Sequence, residues 1–147
     1  MRDDALPTAL DKASSPLGAL LLPCQNARTH VVDGFTVVEF HGDIDLATVP
    51  EVRAHLDAAT LPLRPQVIVD LRPALFFDCS ALSLMCRARR RVLERAGSLA
   101  LVCTRPWHLQ VLEMAGLSAA FRTVATVEDA RADALRNQEE PIVSRSV

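Results

Sequence analysis

The 147-residue sequence contains no C-x-x-C pair, no glycine-rich phosphate loop and no histidines at metal-ligand spacing. His30, His41, His55 and His108 fall in four different predicted elements, so no metal or cofactor is implied. Cys24, Cys79, Cys86 and Cys103 stand apart, three of them within apolar stretches where a free thiol packs as a small hydrophobe. There is no excess of one charge: a net charge of −2 gives no general reason to expect nucleic acid or an acidic membrane as partner. No apolar run approaches a membrane span. Nor does the start read as a secretory signal, because Arg2 precedes Asp3 and Asp4, Pro7 interrupts, and the run Leu17–Leu22 is too short. The chain reads as cytosolic.

What is present is an ordinary globular composition, 50% hydrophobic and 23% charged, in a length that suits one domain plus extensions. Residues 1–28, with Pro7, Ser14-Ser15-Pro16 and Pro23 and no sustained period, read as a loosely ordered extension. Leu17–Leu22 within it could dock on the domain or on a partner. Residues 29–136 read as the folded domain and 137–147 as a polar, frayed tail. Arg28–Val32 and Thr36–Phe40 predict a hairpin around Asp33-Gly34. The stretch from His41 to Leu46 reads as a strand end and loop. Thr48-Val49-Pro50-Glu51 has the form of a capping box, followed by a helix over 49–59 that buries Val52, Leu56 and Ala59. Pro62 and Pro65 close it.

A strand at 66–70 and a helix at 79–96, stopped by Gly97, come next. Leu99–Cys103 is apolar without alternation, as expected of a strand covered on both faces. Thr104 is expected to cap a helix with Pro106 in its first turn. Its buried side would carry Trp107, Val111 and Ala115, and its ending would be Gly116-Leu117. After a short segment near Phe121, Thr126 to Asp129 starts a last helix carrying Val127, Ala130 and Ala134. Strands alternating with helices predict an α/β domain with a largely parallel sheet behind the opening hairpin.

The stretch VIVDLRPALFFDCSALSLMCRARRR, residues 67–91, holds the most chemistry. Asp78 is placed to cap the helix through the free N–H groups of its first turn. Cys79 and Ser80 then sit where those N–H groups and the helix dipole favour negative charge. A hydroxyl there could carry a phosphate, and a thiol could ionise more easily, although Asp78 opposes a thiolate by like-charge repulsion. Arg87, Arg90, Arg91 and Arg95 fall on one helical face, which most often is simply solvated. Arg89 falls among apolar positions, near Met85, Val92 and Leu93, and either snorkels over the core edge or belongs to a contact surface. Without interleaved aromatics this patch does not read as a nucleic-acid site. Asp43 and Asp45 are two apart in an extended segment and share a side, which alone is no sign of acid–base chemistry, and the chain does not read as an enzyme.

Four words occur in order: Gly42-Asp43-Ile44-Asp45, Val67-Ile68-Val69-Asp70-Leu71, Phe77-Asp78-Cys79-Ser80-Ala81-Leu82 and Met114-Ala115-Gly116-Leu117. With this element order, residues 29–136 resemble the STAS domain of bacterial anti-sigma factor antagonists. The resemblance implies an α/β fold with a mixed, mostly parallel sheet of four to five strands and about four helices. It implies a regulatory protein that binds an anti-sigma factor, often a serine kinase, and so frees a sigma factor until phosphorylation ends the binding. The family's acceptor is the Ser or Thr after the aspartate of Asp-Ser-Ser/Thr-Gly. Here that position is Cys79 and the family glycine is Ala81, so only Asp78 and Ser80 match.

A thiol is not a normal kinase substrate, which leaves Ser80 as the phosphorylation candidate, about 100° further round the helix. Its simpler role is a first-turn hydroxyl that helps the cap or touches the partner. A phosphate of charge about −1.5 to −2 would be tolerated by the helix N-terminus and would act on the partner through bulk and repulsion. Cys79 is a redox sensor or merely a serine-sized replacement. The partner surface implied comprises Asp43, Asp45, Asp78, Cys79, Ser80, Ala81 and Ser83, within residues 78–83 and the loop around 43–46. Asp45 equally suits a loop carboxylate preparing the next helix. A different role, implied by the same resemblance, is a phosphorylation-independent module: a constitutive antagonist, or a soluble subunit of a lipid-transport or sensory complex.

Overall fold

The computed structural model describes residues 26–139. The Leu17–Leu22 run and Cys24 lie outside the described residues. The chain opens with the expected hairpin, β1 (Ala27–Val32) antiparallel to β2 (Phe35–Phe40). Asp33 and Gly34 have φ of +48° and +84°, the left-handed pair that matches the twist of a two-residue turn. Next come β3 (Gly42–Ile44), α1 (Val49–Ala59), β4 (Gln66–Asp70), β5 (Ala74–Phe77) and α2 (Cys79–Glu94). The chain continues through β6 (Ser98–Val102), α3 (Pro106–Met114), β7 (Arg122–Val124) and α4 (Val127–Glu139).

The main sheet has the order β1-β2-β4-β6-β7, with every pair parallel except the opening hairpin. Its two faces follow the two-residue period of each strand. Val38, Phe40, Val67, Val69 and Leu101 point to one side and meet Val52 and Leu56 of α1, Met85 and Val92 of α2, and Leu112 of α3. Val37, Ile68, Ala100 and Val102 point to the other side and are covered by Ala130 and Ala134 of α4. The last helix starts as expected, with the Thr126 hydroxyl accepting from Asp129 N–H at 3.0 Å.

Several local expectations give way to longer-range packing. Within His41–Leu46, read as a strand end and loop, β3 is a strand of its own that pairs with β5 as a second, two-stranded parallel sheet. The capping box at Thr48 does not form. Its hydroxyl lies 3.0 Å from Asp43 O and accepts from Asp45 N–H at 2.9 Å, so it is spent on the turn rather than on the helix N–H groups. Thr104 does not cap α3: Pro106 forces Arg105 into an extended conformation, and Arg105 takes the N-cap position without a side-chain bond. The buried face of α3 carries His108 and Leu112; of the expected set Val111 packs half-buried against the core, while Trp107 and Ala115 are exposed. Both sets have the same four-residue spacing, so periodicity alone could not choose between them.

The arginine face of α2 is not simply solvated. Arg87 bonds Asp57 of α1 in a two-pronged pair at 3.2 and 3.3 Å, and Arg91 donates to Thr60 Oγ1 at 2.8 Å. Asp57 lies thirty residues back in sequence, beyond any helical spacing. Arg89 is half-buried and reaches across the core edge, where its Nε donates to Ala120 O at 2.9 Å in an exposed bond that ties down the segment after α3.

Both α2 and α3 end in Schellman motifs. At α3 the expected Gly116 is left-handed (φ +75°) and Leu117 N–H returns to Leu112 O at 2.9 Å. At α2 the left-handed residue is Ala96 (φ +57°) rather than Gly97, whose N–H bonds Val92 O at 2.9 Å. Gly97 serves a different need: a Cβ there would lie 2.1 Å from the carbonyl oxygen of Pro65. The same contact lets Ser98 N–H reach Pro65 O at 2.8 Å and starts the pairing of β4 with β6.

His108 is 1% exposed and its ring sits 4.6 Å from that of Phe77, the last residue of β5. Neither ring nitrogen makes a hydrogen bond of standard geometry. Burial pushes its pKa down, more than the nearby Leu75 backbone raises it.

Two predictions follow from the packing. Gly97→Ala should abolish or severely weaken folding, while Ala96→Gly should stabilise by about 1 kcal/mol by relieving a left-handed alanine; urea unfolding of the two variants checks both. Burial holds the folded-state pKa of His108 below the ordinary value, so unfolding takes up protons as pH falls through about 6.5. Stability should therefore fall as pH drops below that value, by at most about 1.4 kcal/mol per unit for this one group. His108→Leu should flatten that dependence between pH 7.5 and 5.5. A residual slope is expected from the half-buried His55, whose pKa burial also lowers.

Candidate functional site

The site is built where the small sheet meets the start of α2. Gly42, at φ +70°, turns the chain out of β2, and its N–H bonds Pro73 O at 3.2 Å. The β3–β5 register pairs Asp43 with Phe76 and Ile44 with Phe77. Ile44 and Phe77 are buried in the core, which fixes the two strands from beneath. The pairing then passes into the helix cap, because Asp78 N–H donates to Ile44 O at 3.2 Å. Two segments more than thirty residues apart thereby become one surface.

Asp78 caps α2 as expected. Its backbone is extended and its Oδ1 accepts from Ser80 N–H at 2.8 Å. Cys79 and Ser83 are exposed, Ser80 is half-buried, and Ala81 is fully buried, so the Ala81 methyl lies beneath the surface rather than in it. On the facing loop Asp43 is exposed. Asp45 is half-buried and occupied locally: its Oδ1 accepts from Ala47 N–H at 3.0 Å and lies 3.3 Å from Thr48 N, shaping the turn into α1.

The three described thiols have different surroundings. Cys103 is buried, and desolvation pushes its pKa up to about 11, which keeps it protonated and inert. Cys79 is exposed and Cys86 half-buried. Both line an open groove of about 550 Å³ between α2 and the end of α3, with Leu82, Ser83, Arg90 and Leu117.

Three apolar residues beside this surface were not anticipated. Leu46, Leu75 and Phe76 are 76%, 63% and 43% exposed, although β5 is otherwise anchored in the core. A signal was available in the Phe76-Phe77 doublet: adjacent strand residues face opposite ways. With Phe77 in the core, Phe76 had to face out.

Among the described residues no helix is long and apolar enough to cross a membrane. The family model of the STAS domain matches residues 26–130. No curated protein sequence matches. The fold is similar to an anti-sigma factor antagonist from Mycobacterium paratuberculosis, at 22% identity and a TM-score of 0.68 over 74% of this chain and 92% of that one. It is similar to the phosphorylated form of the Bacillus cell fate determinant SpoIIAA, at 22% identity and a TM-score of 0.57 over 73% of this chain and 97% of that one. A sulfate transporter family protein from Wolinella succinogenes shares the fold at 17% identity and a TM-score of 0.61, over 76% of this chain and 93% of that one. The four sequence words, the five-stranded mixed sheet, the joined β3 and α2 loops and the family match lead to one assignment: the chain belongs to the STAS domain family.

Proposed function

We propose that this protein is an anti-sigma factor antagonist-like regulator, a binding module of the cytoplasm rather than an enzyme. Its partner is an anti-sigma factor of the serine-kinase type, whose capture releases a sigma factor for transcription. The observation that carries this reading is the junction of Asp78 with Ile44, which sets the start of α2 and the 43–46 loop side by side. Asp43, Asp78, Cys79, Ser80 and Ser83 supply polar contacts on that surface, and Asp45 and Ala81 hold it from within. The similarity in fold to the anti-sigma factor antagonist from Mycobacterium paratuberculosis supports the same role.

A phosphate on Ser80 would stand beside the Asp78 carboxylate, which already holds the Ser80 N–H. Its repulsion would fall on any partner surface shaped for a neutral hydroxyl. A second reading, a phosphorylation-independent antagonist, is favoured by a specific observation: the exposed side chain at the family's acceptor position is the thiol of Cys79.

Two measurements test these readings. In calorimetric titration with the cognate anti-sigma factor, Ser80→Glu combined with Asp78→Ala should weaken binding at least about tenfold, the equivalent of about 1.4 kcal/mol. The cap loss alone costs about 1 kcal/mol of stability, which leaves the domain folded. Unchanged affinity would remove this surface from the interface. Incubation with that kinase and ATP, read by intact mass, should add one phosphate that Ser80→Ala abolishes. Binding without any mass gain would establish the phosphorylation-independent form.

A further inference from the structure

The seam between α1 and α2 carries a positive charge that the chain's net −2 conceals. Asp57 stands between three guanidinium groups, with Arg87 Nε at 3.2 Å, Arg53 Nε at 3.6 Å and Arg91 Nε at 3.9 Å. One carboxylate neutralises only one of the three. At the end of α2 two more arginines join them: Arg95 Nη1 lies 3.5 Å from Arg91 O, and Arg64 N–H donates to Arg95 O at 2.9 Å. The one acid of α2 is Glu94. The C-terminal dipoles of α1 and α2 offset about one further charge, and a cationic excess remains.

The loop that joins α1 to β4 runs through the same end of the molecule. In it Leu61 and Leu63 are 66% and 85% exposed. They alternate with Pro62 and are followed by Arg64 and Pro65, and the prolines restrict the loop's conformations. Bonds at both ends hold it, since Thr60 Oγ1 accepts from Arg91 Nε and Pro65 O from Ser98 N–H, each at 2.8 Å. Both leucines are therefore offered outward on a fixed tip, with their ordering cost already met within the fold.

Arginines beside outward leucines call for a surface that is anionic outside and apolar within. Nucleic acid would neutralise the arginines but leave both leucines in water. A bilayer of anionic phospholipid takes both, the arginines at its phosphates and the leucines at the boundary of headgroups and acyl chains.

We propose that Leu61, Leu63 and the arginines around Asp57 seat this protein on an anionic lipid bilayer. The seat and the Asp78 cap lie at opposite ends of α2, whose 16 residues span about 24 Å. A membrane-bound molecule thus keeps its Asp78 end free, and the proposal does not rest on the partner assigned to that end.

Co-sedimentation of the full chain with vesicles tests it, comparing phosphatidylcholine alone with an equal mixture of phosphatidylcholine and phosphatidylglycerol. The protein should bind the mixed vesicles and not the neutral ones, and salt near 1 M, which screens charges beyond about 3 Å, should release it. Leu61→Ser with Leu63→Ser should weaken that binding at least about tenfold. Arg64→Gln with Arg95→Gln should weaken it by about the same factor. Surface changes of this kind leave the urea midpoint nearly unchanged, which checks that both variants are folded. No binding to the mixed vesicles, or equal binding to the neutral ones, overturns the proposal. So does binding that either pair of substitutions leaves intact, and retention by the leucine variant alone marks the arginines as a seat for an acidic protein or another polyanion.

Discussion

A single backbone hydrogen bond, from Asp78 N–H to Ile44 O, is what the proposed partner surface depends on. It closes a parallel pairing of only three and four residues, and neither strand could persist without burial of Ile44 and Phe77 beneath it. Short two-stranded sheets are marginal alone. Here the core side chains hold the strands, the strands hold the loops, and the cap residue belongs to both a strand pairing and a helix. The geometry of the site is therefore set by the interior of the domain rather than by its loops.

Where short-range chemistry dominates, the sequence was legible. The Asp33-Gly34 turn, the Asp78 cap, the Thr126 start and the Gly116-Leu117 ending each rest on contacts within a few residues, and each is present. The family resemblance, carried by four words in order, anticipated the fold. What was not legible depends on residues far apart. β3 and β5 are too short to display a period, and their pairing joins segments about thirty residues apart. The α2 arginines look solvated until Asp57 is brought against them. The local rule at Thr48 was overridden because Asp43 and Asp45 offered its hydroxyl better partners.

Gly97 illustrates the same division in a single residue. Reading it as a helix stop assigned a glycine to the conformational role glycine usually fills. In the folded chain Ala96 takes the left-handed position, while Gly97 is required by the closeness of Pro65. Steric contact across the sheet, not backbone freedom, explains it. No helix-ending rule contains that information.

The unequal clothing of the sheet has a further consequence. Among the described residues, three helices cover one face, whereas the other carries α4, seated through Ala130 and Ala134 with Val127 packed beside them. The sheet thus separates the face that packs against α2 and its Asp78 cap from the face under α4. Changes more than about 7–10 Å apart with no shared partners combine nearly additively. Sequence drift on α4 can therefore raise or lower the durability of the fold while the chemistry of the Asp78 surface stays constant, so these two properties are free to evolve on separate schedules.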